Sequence, residues 1–346
     1  MTITFQSVVA FVLVFGVIVL FHELGHYGTA KWLGIGVHEF SIGFGPGLVS
    51  RRWRGTRYSL RIVPLGGFCR LYGMEPVEDE RIGLQPGDRR NFHSRPLWQR
   101  TLVIVAGPAM NFVLAVLILA LVATVTIPVQ VVGVDPNGPA ARAGFQPGDA
   151  IVAIEGEPVY RTFEVNRLIT ASQGEPVEVT VRRDGETFEV TVRPETQPDG
   201  ALRIGVQIMD GMRGVPWWRA VPEGVRQTWQ MTRSLVAGLL GMVAQRVPVE
   251  LSGPVGIFQI VGQSAQQGWF SLLLLAAVLN VNLGLLNLLP IPILDGGWLL
   301  FLALEGLRGK PLKPEHQGWA TFLGFAFLMA LVLFATYQDI LRIFLE

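Results

Sequence analysis

The sequence predicts a polytopic α-helical membrane protein with an inserted β-rich domain, and three observations support this fold class. Half of the 346 residues are hydrophobic and only 16% are charged, which together with a mean hydropathy of +0.42 is too apolar for an ordinary soluble domain. Four stretches are long enough to cross a bilayer, which takes about 20 apolar residues. Between the second and third stretches, polar and apolar residues alternate as they do in strands.

The first predicted transmembrane helix occupies residues 1–33, where residues 2–21 contain no charged side chain. This stretch lacks the basic start and the A-x-A-like exit of a secretory signal peptide. It also continues directly into a polar motif. We therefore interpret it as a retained helix.

Residues 34–97 form a loop with ten arginines and six acidic residues. An excess of basic residues marks the cytoplasmic side of a membrane protein. Within the loop, Tyr58 to Leu71 is typical of a β-hairpin with Pro64 to Gly67 at its turn. The loop is therefore predicted to be cytoplasmic and membrane-associated.

The second predicted transmembrane helix covers residues 98–127 and leads into the β-rich domain at 128–213. That domain has thirteen acidic residues and eight arginines, so its charge balance is 8 − 13 = −5. Two alternating runs flank Asp184 and Gly185, and Asp-Gly is a strong hairpin signal. We place this domain outside the cytoplasm.

The last third of the chain is predicted to contain a linker, a broken span, a short loop and a final span. Residues 214–268 are predicted to be an amphipathic linker region, in which 214–245 is either an amphipathic helix on the outer membrane surface or a packed linker helix. Residues 269–305 form the third transmembrane segment, 306–318 a basic cytoplasmic loop, and 319–346 the fourth transmembrane helix. Four spans place both termini on one side of the membrane.

The motif His22-Glu23-Leu24-Gly25-His26 stands at the inner end of the first span. Residues four apart share one face of a helix, so both imidazoles can bind one metal ion with Glu23 beside them as a base. Catalytic zinc takes three protein ligands and keeps a position open for water. The alternative is a polar collar that extends into the headgroups. Charged groups inside a membrane are costly, which favours the functional interpretation.

Asp295 is the one charged residue in residues 269–304. Two prolines and two glycines near it, in Asn287 to Gly297, must break the helix, and broken backbone at membrane depth is tolerated where it lines a cavity. Asp295 is therefore a candidate third metal ligand. Its alternative role is to cap a helix that restarts after Gly297.

The HExxH motif on the first span and the segment Asn287 to Gly297 on the third together resemble the signature of site-2 proteases. Similar family elements are Gly43-Phe44-Gly45-Pro46, Pro64 to Gly67, Ala106-Gly107-Pro108 with Asn111, and Ser252 to Gly256. The resemblance covers nearly the whole chain. It implies an intramembrane zinc metalloendopeptidase of the bacterial branch with one inserted PDZ domain.

The resemblance also implies roles for individual residues. One Zn²⁺ would be held by His22, His26 and Asp295, with Glu23 as general base and proton shuttle. Asn287 would contact the substrate. An added-strand contact with the substrate would fall on Arg57 to Val63, and the residues expected to make it are Tyr58, Leu60 and Ile62. Whether Asn111 is a packing amide or part of the site is left open.

The β-rich domain resembles a bacterial PDZ domain in the stretches Val131 to Ala140, Ala143-Gly144-Phe145 and Pro147-Gly148-Asp149. PDZ domains bind an extended peptide as an added strand. The resemblance implies a groove between a helix at Phe163 to Ser172 and a strand at Leu202 to Ile208, with peptide C-termini as candidate ligands. A β-rich domain without a groove is the alternative.

The family resemblance implies single-span membrane proteins as substrates, already shortened outside by another protease. Examples are anti-sigma factors and remnant signal peptides. It implies the bacterial inner membrane as location, with the active site toward the cytoplasm. The net charge of +1 gives no indication of a nucleic-acid partner. Two rivals remain: a transporter or channel with a broken helix, which does not explain Glu23, and an inactive PDZ scaffold, which would not need the base.

Overall fold

The structure is a computed structural model that describes residues 4–74, 87–197, 200–244 and 253–345. Part of the predicted cytoplasmic loop and part of the predicted linker, including Ser252, therefore lie outside the described residues. The chain forms two compact units, Met1–Val122 with Val221–Glu346, and Ala123–Ala220.

Helices make up most of the first unit, and within the described residues four helices are long and apolar enough to cross a membrane, namely α1, α2, α7 and α9. This confirms the predicted fold class. The helices of the chain are α1 (Phe5–Trp32), α2 (Leu97–Ala123), α3 (Pro139–Ala143), α4 (Thr162–Ala171), α5 (Trp217–Val243), α6 (Pro254–Gln266), α7 (Trp269–Asn287), α8 (Asp295–Arg308) and α9 (Pro314–Leu345).

Helix α1 is the central helix of the first unit. It begins where the Thr4 side chain accepts a hydrogen bond from the backbone N–H of Ser7 at 3.1 Å, which satisfies one of the free amides of the first turn. Its middle packs Val14 and Ile18 against α7. Further along, Gly25 faces the Ala106 carbonyl of α2, and a Cβ there would lie 2.1 Å from that oxygen. Glycine therefore allows α1 and α2 to cross closely next to the histidines.

The third transmembrane segment is broken between α7 and α8. The prediction of a helix that restarts after Gly297 is wrong, because α8 already begins at Asp295. Gly296 and Gly297 lie in its first turn, and there a Cβ would meet the carbonyl oxygens of Leu289 and Ile291 at 2.0 and 2.5 Å. The two glycines thus let the connecting backbone fold back onto the start of α8, so Asp295 is held at the break.

The loop after α1 forms a β-hairpin of two long strands, β1 (Val37–Trp53) and β2 (Thr56–Leu71). The turn lies at Arg54 and Gly55, which have φ of 46° and 79°. The predicted turn at Pro64 to Gly67 is therefore wrong, since β2 continues through these residues. Two successive residues with positive φ give the hairpin turn that matches strand twist.

Both strands of the hairpin bend, so the sheet has four strand segments. Residues 56–60 of β2 pair with 49–53 of β1, and 57–60 also pair with 39–42 of β1. Residues 67–71 of β2 pair with 37–42. Residues 57–60 therefore lie inside the sheet, whereas 67–71 form an edge segment among the described residues.

The second unit is the β-rich domain. Its main sheet has the strand order β10–β3–β4–β6–β7, with β5 beside β4, and α4 packs its buried residues Val165 and Ile169 into the apolar core. Asp184 and Gly185 have φ of 50° and 90° and make the turn between β6 and β7. The strands are β3 (Val129–Val134), β4 (Ala150–Ile154), β5 (Glu157–Pro158), β6 (Val177–Arg183), β7 (Glu186–Val192), β8 (Glu195–Thr196), β9 (Leu202–Arg203) and β10 (Val206–Met209).

Candidate metal centre and active site

Three candidate metal ligands converge from two helices. His22 and His26 lie one turn apart on α1, and Asp295 is the first residue of α8. The Nε2 atoms of the two histidines are 3.2 Å apart. Asp295 places Oδ2 3.2 Å from His22 Nε2 and Oδ1 3.4 Å from His26 Nε2. Within the described residues, no other group of three such side chains comes together in this way.

These separations fit tetrahedral zinc. Two ligands that each lie about 2.0–2.1 Å from a zinc ion, at the tetrahedral angle, are about 3.3 Å apart. The two histidine nitrogens are 3.2 Å apart, close to this value, and each lies 3.2–3.4 Å from a different oxygen of the Asp295 carboxylate. The two histidine nitrogens and the Asp295 carboxylate could therefore hold one zinc ion.

The proton positions around His26 also fit a cation at this place. His26 Nδ1 lies 2.9 Å from the carbonyl oxygen of Val103, and a carbonyl can only accept, so Nδ1 carries the proton. In the neutral ring, Nε2 then presents a lone pair toward the Asp295 carboxylate. Asp295 Oδ2 is buried and has no hydrogen-bond partner. Lone pairs that face one another in a buried site favour a bound metal ion.

The Nδ1 atom of His22 contacts a side chain, whereas the Nδ1 atom of His26 contacts a backbone carbonyl. His22 Nδ1 lies 3.3 Å from Asn111 Nδ2, while the buried Asn111 Oδ1 has no hydrogen-bond partner. A metal on His22 Nε2 requires a proton on Nδ1, and that proton needs an acceptor. Rotation of the amide by 180° exchanges the two Asn111 atoms and places the oxygen on that proton. Asn111 is thus suited to orient His22.

A cavity of about 280 Å³ lies over the three ligands. Glu23 lines it next to the histidines, and Asn287 lines it at the end of α7. Another wall comes from the edge segment of β2, through Phe68, Cys69 and Leu71. The carboxylate, the metal ligands and a strand edge thus share one chamber.

The edge segment approaches Glu23 closely. A Cβ on Gly67 would lie 3.3 Å from Glu23 Cγ and 2.7 Å from the Ser41 carbonyl oxygen. The backbone amide of Cys69 faces the Glu23 carboxylate. Glycine at position 67 is therefore needed for the edge segment of β2 to lie close to Glu23 of α1.

The residues expected to bind substrate divide into two groups. Asn287 lies in the metal cavity, whereas Tyr58, Leu60 and Ile62 do not line it. Tyr58 and Leu60 belong to the inner segment of the sheet, whose backbone pairs on both sides. The expected free strand edge at Arg57 to Val63 is therefore wrong for residues 57–60, and the edge that lines the cavity is formed by residues 67–71.

Sequence reasoning did not identify the residues that brace the site. Arg100 on α2 and Glu305 on α8 form a bidentate ion pair, at 2.9 Å from Nη1 and 2.6 Å from Nη2. Gly107 on α2 leaves room for His26, since a Cβ there would lie 2.2 Å from Nε2. The available signals were one arginine at the start of a span and one glutamate after the broken segment, both of which are ordinary membrane-boundary residues.

The β-rich domain has a groove of its own, with a volume of about 840 Å³, between α4 and β10. Strand β10 is an edge strand of the sheet. Thr162 lines this groove, and its backbone amide donates a hydrogen bond to the Asp210 carboxylate at 2.6 Å. The groove is lined by apolar residues such as Val165, Ile169 and Ile204.

Comparisons with known proteins give consistent matches. The family model described as "Peptidase family M50" matches residues 10–331. A putative zinc metalloprotease, Atu1380 of Agrobacterium fabrum, is 38% identical and covers 96% of this chain and 95% of its own. The zinc metalloprotease RasP of Geobacillus kaustophilus is 34% identical over 99% of both chains. The regulator of sigma-W protease RasP of Bacillus subtilis is 33% identical, covering 98% of this chain and 99% of its own.

Solved structures match a smaller part of the chain. The PDZ domain of an SdrC-like protein from Listeria monocytogenes is 21% identical, with a TM-score of 0.22, and covers 24% of this chain and 87% of its own. The solution structure of GtR34C from Geobacillus thermodenitrificans is 31% identical, with a TM-score of 0.22, and covers 23% and 95%.

Proposed function

The chain belongs to peptidase family M50, the site-2 protease family, and is a multi-pass zinc metalloprotease; on this premise we propose that His22, His26 and Asp295 hold its zinc ion. Glu23 is the general base. The observation that carries the proposal is the set of 3.2–3.4 Å separations among the two buried histidines and the half-buried Asp295. The transporter and inactive-scaffold alternatives are not retained, because the full-length relatives are named zinc metalloproteases.

The chemistry follows from the residues around the cavity. When bound, zinc acidifies water and polarises the carbonyl of the peptide bond to be cut. Glu23 takes the proton from the attacking water and later delivers it to the leaving nitrogen. Asn287 holds the substrate backbone through its amide, which can both donate and accept hydrogen bonds.

The substrate binds as an extended strand along residues 67–71. A peptide bond in a helix is occupied by its own hydrogen bonds, so a transmembrane substrate must unwind before it can be cut. An edge strand offers the unwound backbone replacement hydrogen bonds. Because this edge lies against Glu23, strand addition delivers the substrate carbonyl to the base and the metal ligands.

The substrates are single-span membrane proteins that another protease has already shortened. The name of the Bacillus subtilis relative links it to sigma-W, which supports anti-sigma-factor-like proteins as one class, and remnant signal peptides are another. The β-rich domain, through the groove beside its edge strand β10, takes peptide C-termini by the same pairing. No role for nucleic acid is proposed.

The decisive experiment separates the base from the metal ligands. Glu23→Gln should abolish cleavage of a single-span substrate and keep zinc, whereas His22→Ala or Asp295→Ala should lose both. Zinc content is measured by atomic spectroscopy on each purified variant. Cleavage is measured after the same variant and its substrate are placed together in lipid vesicles. Near-normal cleavage by Glu23→Gln would refute the assigned mechanism, and normal zinc in Asp295→Ala would refute the ligand set.

A further inference from the structure

The turn of the β1–β2 hairpin carries a dense group of cationic and aromatic side chains. We define this Arg–Trp cluster as Arg51, Arg52, Trp53, Arg54 and Arg57. All five side chains are exposed, and Trp53 retains 55% of its accessible surface. Within the described part of the chain, none of the four arginines forms an ion pair with a carboxylate. The cluster thus presents four positive charges that the described residues do not neutralise by pairing.

The cluster lies beside the last turns of α1. Thr56, next to the turn, donates a hydrogen bond from Oγ1 to the Val37 carbonyl at 3.0 Å, and the Tyr27 and Tyr58 hydroxyls contact each other. Lys31 and the exposed Trp32 end α1. Because α1 is a candidate span, its last turn marks a membrane boundary, and Trp and Lys there are typical of the headgroup level.

The rest of the hairpin has the opposite character. Phe44, Leu48, Val49 and Ile62 are large apolar side chains that remain exposed. They lie toward the bends of the strands, away from the turn. The sheet is therefore polarised along its length, with cations and tryptophan at one end and apolar side chains toward the other. This pattern suits a sheet that enters a bilayer with its turn at the headgroups.

The turn also offers a shaped recess. Arg51, Trp53 and Tyr58 line a concavity of about 400 Å³, and the Arg54 guanidinium lies 4.7 Å from the centre of the Trp53 ring. A guanidinium binds phosphate through two parallel hydrogen bonds, and stacking on an aromatic ring restricts its orientation. The guanidinium groups of Arg51 and Arg54 thus lie at a recess whose walls are mainly aromatic, a combination that suits the phosphodiester of a lipid next to its apolar part.

We propose that the Arg–Trp cluster binds the headgroups of anionic phospholipids in the leaflet next to the metal site. Four unpaired guanidinium groups at a membrane boundary complement a negatively charged surface, where each cation contributes roughly 1 kcal/mol. The bound lipid anchors the turn of the hairpin whose edge segment, residues 67–71, lines the metal cavity. Lipid charge therefore influences where that edge lies relative to the metal ligands.

The test uses the purified full-length protein in a nonionic detergent with equal amounts of phosphatidylglycerol and phosphatidylcholine. Native mass spectrometry measures which lipid stays bound. Wild-type protein should retain phosphatidylglycerol in preference. The triple variant R51Q/R52Q/R54Q should bind it at least about tenfold more weakly, since each cation is worth roughly fivefold in affinity. The variant R51K/R52K/R54K keeps the charge but loses the bidentate guanidinium contacts, so its affinity should lie between that of the wild type and that of R51Q/R52Q/R54Q.

The matched control removes the same charge from another exposed basic segment, as R308Q/K310Q/K313Q. It should bind phosphatidylglycerol like the wild type. Equal loss of phosphatidylglycerol binding in the control would show that the lipid is held by general charge attraction and would overturn a site at the turn. Unchanged binding in R51Q/R52Q/R54Q would also overturn the proposal. Complete displacement of the lipid by equimolar inorganic phosphate would assign the recess to free phosphate instead and also overturn the proposal. Zinc content verifies that each variant is folded. If a triple variant lacks zinc, the single variants R51Q and R52Q replace it, and each should bind phosphatidylglycerol about fivefold more weakly than the wild type.

Discussion

At the metal centre, the two histidines are oriented by partners of different kinds. His26 donates from Nδ1 to the Val103 backbone carbonyl, a group that every residue type provides. His22 depends on the side chain of Asn111, which only a few residue types could replace. The spacing of His22, Glu23 and His26 could therefore indicate candidate ligands and a candidate base, but the sequence left Asn111 open, because an amide in a span has many possible partners.

Asn111 gives a prediction at the residue scale. Asn111→Leu keeps a similar volume and removes the acceptor for the His22 Nδ1 proton, so zinc affinity should fall about 10–100-fold. Asn111→Asp retains an acceptor oxygen and should bind zinc much more tightly than the leucine variant. Competition with a chelator measures zinc affinity without reference to catalysis. Equal affinities of Asn111→Leu and wild type would refute the orienting role.

At the scale of elements, the hairpin shows where sequence patterns mislead. Pro64 to Gly67 looks like a turn, yet Gly67 lies in a strand and pairs with Ile42, and it is a glycine because a side chain there would meet the Ser41 carbonyl and Glu23. The real turn is at Arg54 and Gly55, which give a weaker signal. The sequence-based prediction therefore interchanged the inner and edge segments of the sheet. It placed Tyr58 and Leu60 at an edge, whereas residues 67–71 form that edge. Long-range pairing of bent strands leaves no local mark in the sequence.

The brace between α2 and α8 gives a prediction at this scale. Arg100 is buried and its guanidinium is paired with Glu305, so Glu305→Gln leaves a buried charge without its partner, which typically costs about 3–5 kcal/mol. Because α2 carries Val103 and α8 carries Asp295, both thermal stability and zinc retention should fall. Glu315→Gln removes an exposed carboxylate and serves as the control. The measurements are thermal unfolding in detergent and zinc content. If Glu305→Gln, like the control, matched the wild type in both, the stabilising role of the ion pair would be contradicted.

At the scale of the whole molecule, the length of the apolar runs and the alternation of polar and apolar residues were sufficient to predict four spans and one β-rich domain. A span needs a long apolar run, and such a run can be recognised directly in the sequence. The break near Asp295 was also predictable, since Pro290 and Pro292 cannot continue a helix. Its exact form was not, because the helix restarts at Asp295 through close packing of Gly296 and Gly297 on a carbonyl-lined bend.

Membrane topology gives a further prediction. With four spans and basic loops in the cytoplasm, tags at both termini and within 128–268 should be extracytoplasmic, and tags near Arg81 or Arg308 should be cytoplasmic. Accessibility of each tag to protease in intact and opened cells measures this. Cleavage of a tag near Arg81 from outside intact cells would reverse the topology and move the metal site to the opposite half of the bilayer.

The last prediction concerns selection of substrates by the inserted domain. Its two ends meet, because Ile127 and Met212 exchange two backbone hydrogen bonds of 2.7 Å, and the helical unit has separate apolar clusters. Residues 129–210 can therefore be replaced by a short Gly-Ser linker, and zinc binding should persist. If the domain excludes bulky substrates, the variant should cleave single-span proteins with intact folded ectodomains that the wild type rejects, while trimmed substrates are cut by both. Substrates with Gly or Pro in the span should remain faster than poly-Leu spans in both proteins, since unwinding costs less there. Normal zinc with unchanged discrimination between long and trimmed substrates would exclude a size filter and leave peptide docking in the groove as the role of the domain.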